Sequence, residues 1–148
     1  MLRKLLFVSL AVATLASCKK DKNDTPAYSV STKVDGTKVD FNTAAASKMG
    51  NMVVISGSGG SVSSPYPSFN IVLADDVAIT TKAYTAADGE VEIIYAAAAG
   101  QTFASDDDFT VTVTGISATE IKGTFTGKVE DGATIKTITE GTFSAKFQ

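Results

Sequence analysis

Histidine and tryptophan are absent from the 148 residues, cysteine occurs once, and the only arginine is Arg3. Without histidine the chain can build neither a Ser-His-Asp nor a Cys-His nucleophilic pair. The usual zinc and copper sites lose their commonest ligand for the same reason. A single cysteine closes no disulfide within the chain. Beyond Arg3 there is no guanidinium fork to grip phosphate or carboxylate in bidentate fashion. No apolar run reaches the roughly 18 residues of a membrane-spanning helix. Nor does any stretch carry a heptad or a long 3.6-residue pattern.

Charge is lopsided. From Ala27 onward there are eight lysines, no arginine and fourteen acidic residues, a net charge of about −6. An acidic surface disfavours nucleic acid and anionic lipid headgroups.

The N-terminus has a different character. Arg3 and Lys4 precede an apolar stretch over residues 5–16. As a helix of about 12 residues it would rise only roughly 18 Å, well short of the hydrocarbon core. A basic start, a short apolar core and small residues at its end describe a secretory signal. That stretch closes on Leu15-Ala16-Ser17-Cys18, with the single cysteine last.

This order resembles the lipobox of bacterial lipoproteins. The resemblance implies that the Cys18 sulfur takes a diacylglyceryl group, that the chain is cut before Cys18, and that the new amino terminus is acylated. Residues 1–17 are then a signal peptide and Cys18 starts the mature chain. Residues 18–26 are polar and end in Pro26, which reads as a flexible tether. Lys19 follows the cysteine where proteobacterial inner-membrane retention would place aspartate. That points to the outer membrane, with the periplasmic or surface face open.

Residues 27–148 form one domain by length. Val30, Thr32 and Val34 alternate with Ser31 and Lys33, a half-buried strand. Asp35-Gly36 marks a hairpin turn in which both positions take positive φ. Val39 and Phe41 face inward on the return strand. Residues 42–48 contain three alanines and fit one helical turn or a loose connection. Residues 52–56 are apolar on both faces, a strand covered on both sides. Phe69, Ile71 and Leu73 alternate, as do Val91, Ile93 and Tyr95. Residues 77–84 are ambiguous. The clearest alternation is Phe109, Val111 and Val113 with Thr110, Thr112 and Thr114. Ile121, Phe125 and Val129 continue it, with Gly123 and Gly127 on the same face making room for an aromatic or a bend. Phe143, Ala145 and Phe147 face inward on the last strand. The sum is an all-β domain of about eight strands joined mostly by short turns. Short turns make antiparallel neighbours, folded into a β-sandwich or barrel.

Lys33-Val34-Asp35-Gly36, Gly123-Thr124-Phe125 and Gly141-Thr142-Phe143-Ser144, following a lipobox and Lys19-Lys20-Asp21, are similar to small all-β lipoproteins of Bacteroidota. That family is catalogued as a domain of unknown function. The chain departs from its pattern at Val39-Asp40-Phe41, where an aromatic, often tryptophan, is expected. The resemblance implies fold and address and supplies no activity.

The remaining chemistry belongs to carboxylates, hydroxyls, lysines and backbone. Asp75 with Asp76, or Glu90 with Glu92, are the carboxylate pairs a glycoside hydrolase would need. As structure, the first is a polar turn and the second a solvated strand face. Asp106, Asp107 and Asp108 form the densest acid cluster. They fit a calcium loop by charge but lack the glycine and distal glutamate of an EF-hand. Otherwise they are an acidic loop before a strand. Gly57 to Gly60 has no following Lys-Ser/Thr or helix, so it reads as a hairpin loop rather than a phosphate cradle. Tyr66, between Pro65 and Pro67, is a sugar-stacking aromatic or a loop anchor. The expectation is a lipid-anchored envelope protein that is not an enzyme and has no cofactor or metal. It meets the membrane through Cys18 and binds a glycan or an envelope protein, not nucleic acid. A structural role in envelope assembly is the alternative, and a carboxylate-based glycan hydrolase a further one.

Overall fold

A computed structural model describes residues 28–148. The lipobox residues Leu15, Ala16, Ser17 and Cys18, and the expected tether, lie outside the described residues. The domain is all-β. Its strands are β1 (Ser29–Val34), β2 (Thr37–Phe41), β3 (Thr43–Met49), β4 (Met52–Ser58), β5 (Ser68–Ala74), β6 (Ala83–Thr85), β7 (Val91–Ala98), β8 (Gln101–Ser105), β9 (Thr110–Ile116), β10 (Glu120–Glu130) and β11 (Ile135–Phe147).

They form one eleven-stranded sheet in the order β2-β1-β11-β3-β4-β5-β7-β8-β10-β9-β6. Because β10 also pairs with β11, the sheet turns back on itself. The circuit is narrow at two joints. β11 meets β3 only at Lys146↔Ala45 and Phe147↔Ala46, and β10 meets β8 only at Val129↔Ser105 and Glu130↔Ala104. The result is a folded-over sheet rather than a regular barrel.

Three sequence expectations need correction. The strands number eleven, not about eight. The sheet is mixed, since β11 and β3 run parallel. Residues 42–48 are neither a helical turn nor a loose connection; most of them are β3, paired along its full length with β4. Alanine favours helices in isolation, and tertiary pairing overrides that preference here. The ambiguous segment 77–84 yields only the start of the short strand β6. The Asp35-Gly36 turn is as predicted, with φ of 50° and 79°.

The inner face of the folded sheet carries the core. Phe69 stacks on Phe125 at 4.9 Å between ring centroids and also meets Phe41 and Tyr95. Phe109 and Phe143 flank Phe125 at 6.2 and 6.4 Å. These rings find space because glycines face them. Across β10 and β11, Gly123 pairs with Phe143 and Phe125 with Gly141. The repeated Gly-Thr-Phe triplet therefore meets itself in antiparallel register, each ring lying over the other strand's glycine.

The strand directions give the domain two ends. The β3–β4 turn, the segment after β5, the turn before β7 and the β9–β10 turn lie at one end. Asp35-Gly36, the loop over residues 59–67 and the β10–β11 turn lie at the other.

Candidate functional site

Two places bring polar side chains together. The first lies at the β3–β4 end, where β5 stops. The Lys82 ammonium sits 2.7 Å from Asp75 Oδ2 and 2.8 Å from Glu90 Oε1. It also lies 4.6 Å from the centre of the Tyr84 ring. Tyr84 is fully buried, and its hydroxyl accepts from the Thr80 N–H and donates to the Thr80 carbonyl. This fixes the segment that presents Lys82. The ammonium holds the Asp75 carboxyl below the usual carboxylate range, and the two carboxylates hold Lys82 charged well above the usual lysine range. A cleft of about 320 Å³ opens beside them, lined by Asp75, Asp76, Asp88 and Glu90.

The expected carboxylate pairs are therefore re-sorted. Asp75 Oδ1 accepts the Asp76 N–H at 2.7 Å, so this pair is tied through the backbone of the turn, although both residues line the cleft. Glu90, just before β7, meets Lys82, while Glu92, two residues on, is exposed on the strand. The carboxylates that do converge are Asp75 and Glu90, with an ammonium between them. A general acid needs a raised pKa, and at Asp75 the lysine acts in the opposite direction.

The second place is a groove of about 480 Å³ on the outer face of β9, β10 and β11. Thr112, Thr124 and Thr142 stand in one row across the three strands, and Thr110 faces Thr126 in the next. Gly141, Glu140 and Phe125 complete the lining. The groove exists because the ladder is broken here. β10 shifts register between Phe125 and Gly127, and β1 shifts between Ser31 and Lys33. Glu140 takes a φ of 52°, unusual for a residue with a side chain. Backbone carbonyls at these bulges are capped from the side: Thr126 Oγ1 donates to the Ile138 carbonyl and Thr32 Oγ1 to the Thr139 carbonyl, both at 3.0 Å. The Glu140 carboxylate receives Lys33 Nζ at 2.6 Å along the rim. What faces outward is a set of threonine hydroxyls and methyls with the Glu140–Lys33 ion pair at its rim.

The remaining expected sites are structural. Asp106 Oδ1 accepts the Asp107 N–H, and Asp108 accepts both the Lys128 N–H and, at 2.8 Å, its ammonium. Among the described residues no three acids converge as a metal site would require. The Gly57–Gly60 stretch is shaped by packing. A Cβ at Gly57 would meet Val30 and Phe41, and one at Gly60 would meet the Ser64 carbonyl. Tyr66 is half-buried in the same loop, which suits an anchor better than a free stacking platform. Sequence reasoning missed Lys82 and the groove. The groove's only trace is the threonine alternation at 110, 112 and 114, which also serves as ordinary strand composition.

No family model matches the chain, and neither curated proteins nor solved structures provide a detectable relative.

Proposed function

We propose that the protein is a lipid-anchored envelope lipoprotein, outer-membrane in address, whose β domain is a non-catalytic binding or accessory module. The address rests on Leu15-Ala16-Ser17-Cys18 after a short apolar segment. The observation that carries the binding role is the threonine groove. Its size falls within the roughly 300–1,000 Å³ of small-ligand sites. Its only charged group, Glu140, is held by Lys33, so the surface suits a neutral, hydroxyl-rich ligand such as a glycan segment. Binding without catalysis fits the pairing of the acids, since the two that converge share one lysine.

Glycan arrays probed with the protein test the binding role, followed by calorimetry on Thr124→Val and Thr142→Val. The expected result is a neutral glycan hit weakened about tenfold or more by either substitution, the loss of one or two hydrogen bonds. Arrays and envelope pull-downs that both return nothing sink the reading. The address is tested by Cys18→Ser. Continued fatty-acid labelling and membrane fractionation of that variant would overturn it.

A further inference from the structure

We infer that the end of the domain bearing the β3–β4 turn rests on the lipid surface that holds the anchor. This rests on the lipoprotein reading above. Five large apolar side chains stand exposed among the described residues: Met49, Met52, Val62, Val77 and Ile135. Three belong to this end. Met49 and Met52 are cross-strand partners on either side of the β3–β4 turn. The Asn51 amide in that turn donates to the Asp76 carbonyl at 2.7 Å, which ties Val77 beside them. Val62 and Ile135 belong to the opposite end.

The described chain enters from the same direction. β1 starts at Ser29, level with Ser144 of β11, and runs away from this end. β3 runs toward it, with Ala45 level with Lys146. Met49 thus lies six residues farther along the sheet than Ser29, at most roughly 20 Å at 3.3 Å per residue. If residues 18–26 act as the predicted tether, their root-mean-square reach is roughly 15–18 Å. That reach, with residues 27 and 28 beyond it, lets a lipid on Cys18 and the methionine turn meet one plane. Methionine suits such a contact, because its unbranched, flexible side chain adapts to irregular apolar surroundings. Lys82 offsets part of the charge of Asp75 and Glu90, and the cleft beside it also carries Asp76 and Asp88. The surface it fits is therefore a zwitterionic headgroup layer.

The absence of tryptophan supplies the test. The full lipidated chain is reconstituted into phosphatidylethanolamine–phosphatidylcholine vesicles as Met49→Trp, Met52→Trp or, for the opposite end, Val62→Trp. Each position is exposed and accepts the indole without repacking. The expected result is a blue-shifted emission for Met49→Trp and Met52→Trp, quenched by brominated lipid as for a group buried roughly 5–10 Å into the interface. Val62→Trp should show neither change. If all three behave alike while the protein floats with the vesicles, the orientation is wrong and the anchor stands. If the chain neither labels with fatty acid nor floats, the lipoprotein reading fails and the orientation with it.

Discussion

Gly123 and Gly141 hold open the space that two phenylalanine rings occupy. A Cβ at Gly123 would lie 2.5 Å from Cζ of Phe143, and one at Gly141 would lie 2.4 Å from Cδ2 of Phe125. Backbone stands equally close, with the Thr112 carbonyl at 2.3 Å and the Phe125 carbonyl at 2.4 Å. Neither neighbour can simply swing aside, so overpacking of about 1–3 kcal/mol is expected for Gly123→Ala and for Gly141→Ala. Gly115, on β9, has nothing within 4 Å of the same added atom. Gly115→Ala should stay within about 0.5 kcal/mol of the parent. Denaturant titration of the three variants checks this, and equal losses would refute the account. Phe125 touches Phe69, Phe109 and Phe143, so Phe125→Ala should cost about 3–5 kcal/mol. The need for glycine opposite an aromatic is readable in the sequence. That the two Gly-Thr-Phe triplets are each other's partners is not, because register between distant strands leaves no local mark.

At the level of elements, β10 and β11 hold the sheet together. Each is paired along one edge with the other and along its second edge with two further strands in succession. β2 and β6 end the sheet order and each has one neighbour. Backbone amides exchange by local opening, and singly paired edges open first. Amides over Ile121–Phe125 and Ile138–Ala145 should therefore be the slowest to exchange, with those of β2 and β6 among the fastest. Hydrogen exchange read by mass spectrometry decides it, and β2 protection equal to that of β10 would contradict it. The sequence pattern located the strands that carry large alternating side chains, such as β5, β7 and β9. It failed where the signal is weak for a physical reason. β3 is built on Ala44, Ala45 and Ala46, which carry little β preference and little area to alternate. β8 offers Phe103 as its one large apolar residue, so it blended into the alanine run before it. The site was illegible on the same grounds. Lys82 sits in a segment without periodicity, and its role appears only when β5 and the turn before β7 deliver Asp75 and Glu90 to either side.

For the whole molecule, the pattern of titrating groups fixes how stability responds to pH. With no histidine, no side chain has an ordinary pKa between about 5 and 8. Five carboxyls are held below the usual carboxylate range. The Thr137 N–H acts first on Asp35, with Lys136 adding to it; the Ser31 hydroxyl acts on Asp40, Lys82 on Asp75, Lys128 on Asp108, and the Thr134 and Ala133 N–H groups on Asp131. A carboxyl whose folded pKa is depressed contributes stability above the unfolded value near 4, lost as pH falls through the folded value, because the unfolded chain then binds more protons. Tyr95 works in the opposite sense. Burial pushes its phenol up, so its contribution is complete below about 10 and is lost as pH rises through the folded value. The lysines raised by their carboxylate partners, Lys82, Lys122 and Lys128, act on the same alkaline side. The thermal midpoint should therefore be level from about pH 5 to 9 and fall beyond both edges. Since all of these carboxyls but Asp75 are exposed, the acid fall is gradual and weakens further in high salt. Asp35→Asn tests the acid limb cleanly, because asparagine tolerates the positive φ of that turn while its amide does not titrate. That variant should be less stable at neutral pH and converge on the parent near pH 2. Tyr95→Phe should make the alkaline limb shallower, the lysine contribution remaining, and leave the acid one unchanged. A midpoint that changes steeply between pH 5 and 8 would show that a group outside this set governs the fold.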